Sequence, residues 1–239
     1  MPVFTDKTII ITGASGGIGQ AIASRLAEEG ASLCLCGRDR ARLDKLSSRL
    51  GRNKARGYPA DLMVEKELHE MASAILADNP RIDGIIHCAA MIKLGPVLTT
   101  PVDLFEDQLK LNLVAPFRLT QLLLPQLIEN RGQIVFINSS AGLTARANVS
   151  QYAASKHALR ALADSVRQEC NASGVRVCSI FLGDTATPMQ AQVRKERGQS
   201  YQPELLIQPE DVAEMVKAVL ALAKTAEITD LMMRPMQKT

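Results

Sequence analysis

Tryptophan is missing from this 239-residue sequence, and the other aromatics are sparse: three tyrosines and five phenylalanines. Stacking platforms for unpaired bases need aromatics interleaved with basic residues. That combination is lacking, as is any nucleic-acid motif, so no nucleic-acid partner is expected. There are five cysteines, Cys34, Cys36, Cys88, Cys170 and Cys178, an odd number that argues against a disulfide framework. Cys34 and Cys36 lie two apart in "ASLCLC" and share one face of a strand, which reads as buried thiols acting as small apolar groups. The three histidines, His69, His87 and His157, have no ligand spacing, so no metal is expected. No apolar run reaches the ~18 residues of a membrane span. The start, "MPVFTDKTIIITGAS", lacks a basic segment and a cleavage site. No secretory leader is therefore expected, and the expected compartment is the cytoplasm.

What is present is a regular alternation. Hydrophobic residues make up 46% and charged residues 22%. Apolar, β-branched runs at 7–12, 31–37, 55–61, 82–90, 132–140, 174–182 and 227–234 predict strands. Helical periodicity predicts helices at 18–30, 39–51, from the low sixties to about 78, 103–129, 150–173 and 209–224. Asp39 is a candidate N-cap of the second helix. Strands apolar on both faces, each followed by a helix, predict an α/β fold with a doubly wound parallel sheet of about seven strands and helices on both faces. There is no linker, repeat or low-complexity tract, so 1–239 reads as a single domain. Only 183–208 lacks a pattern, and a loop of that length predicts a substrate lid.

Charge is uneven although the net value is only +3. Residues 38–56 hold eight cations (Arg38, Arg40, Arg42, Lys45, Arg49, Arg52, Lys54 and Arg56) against Asp39 and Asp44. Such a run reads as a solvated helix face. It begins where the second strand ends.

Two short stretches carry chemistry. "TIIITGASGGIGQAIA" sets Gly13, Gly16, Gly17 and Gly19 between the first strand and first helix, where backbone N–H groups and a helix N-terminus can hold a pyrophosphate. "QYAASKHA" places Tyr152 four residues before Lys156, on one helix face. A lysine there can act on the phenol's acidity, whose ordinary pKa of about 10 suits an acid better than a base.

The T-G-x-x-x-G-x-G turn together with Tyr-x-x-x-Lys resembles the short-chain dehydrogenase/reductase family, of the simple single-domain type, over residues 5 to about 190. The resemblance implies a Rossmann-type domain and an NAD(P)-dependent oxidoreductase acting on a carbonyl or secondary alcohol. It implies that Tyr152 is the general acid or base and Lys156 its tuner and a ribose ligand. Ser139 would hydrogen-bond the reacting oxygen; Ser140 is one step away, but spacing to Gly142 and Tyr152 favours Ser139. Asn112 would hold a water in a relay to the lysine. Cofactor contacts are implied at Gly13, Ser15, Gly17, Ile18, Gly19, Arg38, Asp61, Leu62, Ala89, Gly183 and Thr185, besides Tyr152 and Lys156. Asp61 matches an adenine-binding aspartate and equally reads as a helix cap.

Gly37 stands where an NAD enzyme of this kind carries an acid, and Arg38 follows, which favours NADP over NAD; Asp39 remains an alternative reader of the ribose. A second basic residue common in NADP members is replaced by Gly16. Other departures are His87-Cys88-Ala89-Ala90 at the fourth strand's end, where His87 and Cys88 read as packing, and Leu182-Gly183 after the sixth.

The expected partners are a small carbonyl or alcohol substrate and further copies of the chain. Leucines and Phe117 surround the whole circumference of the helix at 109–128, and family members pair through it, so a homodimer or homotetramer is expected. The rival class is a catalytically silent dinucleotide-binding sensor, which loss of Tyr152 or Lys156 would have favoured. The substrate wall is expected from 90–98, 140–150 and 184–208. Arg146, Arg194, Lys195 and Arg197 read there as solvated surface rather than as attractors of an acidic substrate.

Overall fold

Seven strands form one all-parallel sheet in the order β3-β2-β1-β4-β5-β6-β7. They are β1 (Thr8–Thr12), β2 (Ser32–Gly37), β3 (Ala55–Pro59), β4 (Gly84–His87), β5 (Gln133–Ser139), β6 (Arg176–Leu182) and β7 (Asp230–Met233). The computed structural model describes residues 2–51 and 54–237; Arg52 of the basic run lies outside the described residues. The helices are α1 (Gly17–Glu28), α2 (Arg40–Leu50), α3 (Glu65–Asp78), α4 (Val102–Leu109), α5 (Ala115–Glu129), α6 (Ser150–Cys170), α7 (Pro188–Glu196) and α8 (Pro209–Ala221). Every expected strand and helix is present, with ends shifted by a few residues. Among the described residues no helix is long and apolar enough to cross a membrane.

Strand alternation sorts the core into two layers. Ile9, Ile11, Leu33, Leu35, Val135 and Ile137 face the layer holding α1 and α8. Ile10, Cys34, Cys36, Ile134 and Phe136 face the layer that contains residues of α3, α5 and α6. Cys34 and Cys36 do share a face, and all five cysteines are free. Each isoleucine excluded from water contributes about 1.5–3 kcal/mol, so period-two patterning with apolar residues on both faces leaves the sheet one place, between two helical layers.

The chain reverses direction across the sheet at β1 and β4, whose neighbours lie on opposite sides. In such a sheet the crevice at the strands' carboxyl ends, at the switch point, is where ligands bind. Thr12 closes it from below: its hydroxyl accepts from the N–H groups of Cys88 (3.0 Å) and Ala89 (3.1 Å).

The long helix expected at 103–129 is two helices joined by a π-helical turn, Lys110–Val114, in which the Ala115 N–H donates to the Lys110 carbonyl. Pro116 is the cause. It has no N–H to offer the carbonyl four residues earlier, that of Asn112, and its ring crowds that carbonyl. On α5, Leu119, Leu123 and Leu127 are buried by the chain itself, whereas Phe117 and Ile128, with Val114 just before the helix, are exposed, Phe117 by 50%.

The segment 183–208 departs most from expectation. It is no irregular loop: α7 occupies its middle, started by Thr187, whose hydroxyl accepts from the Gln190 N–H at 3.2 Å, with Pro188 in the first turn. A bridge between Thr185 and Ile207 ties its two ends. Its polar composition hid the helix, but Thr-Pro followed by nine residues free of glycine and proline was a readable start signal.

Candidate active site

The glycine turn is built by close approach. Gly13 has φ +65°, and a Cβ there would lie 2.8 Å from the Ala89 Cα. A Cβ on Gly19 would collide with the Gly13 carbonyl oxygen. These glycines let β1, the start of α1 and the end of β4 touch. Gly16 precedes α1 and no side chain caps the helix. Its first-turn N–H groups, on Gly17, Ile18 and Gly19, are therefore left for an anion. The cradle fits a dinucleotide pyrophosphate.

Beside the turn, a Cβ on Gly37 would meet the Ser15 hydroxyl at 3.3 Å, and Arg38 next to it is exposed. Asp39 is committed elsewhere. One oxygen caps α2 by accepting from the Arg42 N–H at 3.0 Å and the other pairs with the Arg42 guanidinium at 3.2 Å. Arg42, Lys45 and Arg49 lie on the solvated face of α2, as the charge run suggested. Asp61 makes a local turn, accepting from the Met63 N–H at 2.9 Å just before α3. Leu62 is buried in the core cluster with Leu68 and Met71 of α3.

A cavity of about 370 Å³ opens at the carboxyl ends of β4, β5 and β6. Ser139, Tyr152, Lys156, Ile18, Gly183 and Thr185 all line it, so the turn's start of α1 and the Tyr-Lys helix face one space. Ser139 ends β5, and its hydroxyl is the side-chain group that offsets part of the burial effect on the Tyr152 phenol, which favours Ser139 over Ser140 as the phenol's partner. Ala141 N–H donates to the same hydroxyl at 3.2 Å.

Tyr152 and Lys156 are buried, at 9% and 2% exposure. In net, the surroundings raise the phenol rather than lower it. Burial pushes Tyr152 up to about 12, with the Ser139 hydrogen bond offsetting part of the effect. Burial likewise pushes Lys156 down to about 8. The ammonium donates to the Ile137 carbonyl at 3.1 Å and lies 5.9 Å from the centre of the Tyr152 ring. Both groups lose more by leaving water than they gain from each other at this distance. Near neutral pH the pair is a protonated phenol beside an ammonium.

Asn112 is outside the cavity lining. Its amide donates to the Met91 carbonyl (2.9 Å) and the Ser155 hydroxyl (3.0 Å), and its oxygen accepts from the Met91 N–H (2.9 Å). Both donors of the side chain are spent. It fastens the loop after β4 to α6. Any relay through this residue falls to its main-chain carbonyl, to which Pro116 can offer no N–H.

Asn138 escaped the sequence analysis. Buried at the end of β5, it donates to the Lys156 carbonyl at 3.2 Å and accepts from the Ser139 N–H at 2.8 Å. A Cβ on Gly142 would come within 2.8 Å of the same Lys156 carbonyl. Together they hold the serine strand against the lysine turn. The adjoining Asn-Ser-Ser-Ala-Gly run was the available signal. His87 packs as expected: it stacks on Phe136 with centroids 4.9 Å apart, shares a 2.9 Å hydrogen bond with Thr120, and burial pushes it down to about 3. Cys88 lines the cavity, its thiol pushed up to about 12 by burial.

The remaining wall comes from the expected segments. The loops 90–98 and 140–150 are joined where the Gly95 N–H donates to the Asn148 carbonyl at 3.0 Å. Arg194 is a correction: it is buried and pairs with Asp184 at 2.6 Å, fastening α7 to the chain after β6. Gly183 is fastened too, its N–H donating to the Met233 carbonyl at 2.8 Å.

Comparison with known proteins agrees with this geometry. The sequence profile described as short chain dehydrogenase matches residues 7–198. An uncharacterized oxidoreductase of Staphylococcus aureus (strain USA300) is 28% identical over 238 residues, spanning 98% of this chain and all of that protein. Among solved structures, the alcohol dehydrogenase from the archaeon Thermococcus sibiricus, complexed with 5-hydroxy-NADP, is 25% identical, with a TM-score of 0.88 and 98% of each chain covered. A single-site variant of actinorhodin polyketide ketoreductase with NADPH is 27% identical, with a TM-score of 0.86 and 95% of each chain covered.

Proposed function

This chain belongs to the short-chain dehydrogenase family of oxidoreductases, and from that premise we propose that it is an NADP-dependent reductase or dehydrogenase of a small carbonyl or secondary-alcohol substrate. The observation that carries the reading is the convergence of Ser139, Tyr152 and Lys156 on one cavity that reaches the start of α1. When bound, the nicotinamide supplies or accepts the hydride that interconverts a carbonyl carbon and a carbinol. Tyr152, protonated near neutral pH, gives its proton to the carbonyl oxygen as the carbon is reduced, and takes it back in oxidation. Ser139 holds both that oxygen and the phenol in line. Lys156, cationic below about pH 8, stabilises the phenolate left behind until a proton from solvent replaces the one given up. Asn112 and Asn138 are positioning residues.

Gly13, Gly17, Ile18 and Gly19 would hold the pyrophosphate, Ser15 and Arg38 the adenosine ribose with its phosphate, and Ala89, Gly183 and Thr185 the nicotinamide side. The NADP-type ligands of two structural neighbours support the choice, as does the commitment of Asp39 to α2. A guanidinium is always charged and can grip a phosphate with two hydrogen bonds. A hydrogen bond to a charged group contributes about 1.5–3 kcal/mol. NADPH should therefore exceed NADH in kcat/KM by at least about tenfold, and Arg38→Ala should remove most of that margin. Steady-state rates with both cofactors against a panel of ketones, aldehydes and oxoacyl thioesters test the reading. Equal use of NADH by the wild type would refute the role of Arg38, and no turnover of any compound would refute the enzyme.

The segment 183–208, held at both ends with α7 between, is proposed to cover the substrate. The half-exposed Phe117 with Val114 and Ile128 fits burial against a second copy of α5. Light scattering at micromolar concentration is expected to give a dimer or tetramer; a monomer mass would contradict it.

A further inference from the structure

Two cations remain at the cavity that the reaction does not use. Arg146 comes from the loop between β5 and α6, and Arg197 from the end of α7; both line the cavity and both are exposed. They reach it from separate segments. Met189, Val193 and Arg197 follow at four-residue spacing, so one face of α7 presents two apolar side chains and then a guanidinium. Arg194, on another face, is taken by Asp184.

The charge balance is one-sided. Among the described residues, the ionisable groups lining the cavity are Cys88, Arg146, Tyr152, Lys156, Asp184 and Arg197. Asp184 is the single carboxylate among them, and Arg194 neutralises it. Among the described residues neither Arg146 nor Arg197 has a side-chain hydrogen bond or ion pair. Ile92, Leu94, Leu143, Val149, Met189 and Val193 line the same cavity and make it largely apolar. An apolar wall with a few convergent polar groups is the usual form of a small-molecule site.

We propose that Arg146 and Arg197 form an anion clamp, so that the substrate carries its carbonyl or carbinol at one end, an apolar chain in the middle, and a carboxylate or phosphate at the other. This deepens the oxidoreductase reading above and rests on it. The carbonyl meets Ser139 and Tyr152, the chain lies along the apolar wall, and the anion reaches the two guanidiniums. Both guanidiniums can bind either anion through paired N–H groups.

The test compares three ketones of one chain length with NADPH: the oxo-acid, its methyl ester and the oxoalkyl phosphate. In low salt the wild type should prefer at least one anion over the ester by about tenfold or more in kcat/KM, expressed in KM. Which anion wins separates the two sources. The preference should fall toward parity at about 1 M salt, where charges are screened beyond about 3 Å. It should collapse in the double variant Arg146→Gln, Arg197→Gln. No anion preference in the wild type, or one that survives the double variant, overturns the clamp while leaving the reductase intact. Calorimetric titration of the NADPH-loaded protein with octanoate and with octanol keeps the two readings apart. Tighter binding of octanoate that the double variant loses supports the clamp even when no ketone is reduced. Equal binding of the two in the wild type overturns it.

Discussion

Tyr152→Phe is expected to lower kcat by about 10²–10⁴-fold, the span that a positioned general acid contributes, while NADPH affinity stays within about threefold of the wild type. The phenol is the acidic group that Ser139 contacts in the cavity, and no other side chain there can take its place. Cys88 is pushed up to about 12 and lies at the end of β4 rather than on the tyrosine helix. Phenylalanine keeps the ring and its packing against Val149 and Ala153. It loses one hydrogen bond, worth about 1 kcal/mol, so the variant should fold. The glycine turn is untouched, which is why cofactor binding should survive. Fluorescence titration with NADPH and steady-state kinetics measure the two quantities separately. Retention of most of the wild-type kcat would remove Tyr152 from the mechanism, and joint loss of binding and turnover would assign it a structural role instead.

Lys156→Met should be nearly as damaging to turnover, and opposite in its effect on stability. Losing the cation that stabilises the phenolate should cost about 3–4 kcal/mol in the transition state, several hundredfold in kcat/KM, and cofactor affinity should fall as well because the ammonium is placed for the ribose. Stability follows from proton counting. In the unfolded chain the lysine keeps its proton up to about its usual 10.5, whereas in the folded protein it gives it up at about 8. Between these values the unfolded state binds more protons, so stability rises with pH through that window. Below about pH 8 both states are charged and the full penalty of the buried ammonium is present, of the order of 3 kcal/mol from that shift.

Methionine carries no charge, so the variant should lack this rise. Part of the neutral-pH gain is offset by leaving the Ile137 carbonyl without its donor, about 1–3 kcal/mol. Denaturant unfolding of both proteins at pH 7, 8, 9 and 10 gives the difference. A gap in unfolding free energy that favours the variant at pH 7 and narrows toward pH 10 supports the burial of a charge; a constant gap contradicts it. Tyr152 does not confuse the reading, since its displaced value of about 12 acts at higher pH and with the opposite sign.

Much of this molecule was legible in one dimension because two of its constraints are local. Strand residues alternate sides, so Ile9, Ile10 and Ile11 in sequence already imply helices on both faces of a sheet. Backbone approach demands glycine, so Gly13 and Gly19 announce a turn pressed against its neighbours before the neighbours are known. The four-residue step from Tyr152 to Lys156 puts both on one helix turn whatever the rest of the chain does. With the matching motifs, these features identified the fold and the family.

What the sequence could not hold is the outcome of competing long-range terms. The spacing placed an ammonium near a phenol, but only the packed structure shows both buried, so that desolvation outweighs attraction and the phenol stays protonated. Asp39 and Arg38 read as two adjacent candidates for the ribose; the fold turns Asp39 onto α2, where it caps the helix and pairs with Arg42. Arg194 and Arg197, three residues apart, read alike as surface; tertiary contacts pair the first with Asp184 and bring the second to the cavity that Arg146 also lines. Local sequence dictates which residues can share a face. Which of them lose water, and which find a partner from a distant segment, is decided when the segments pack, because burial and charge pairing depend on neighbours that are remote along the chain.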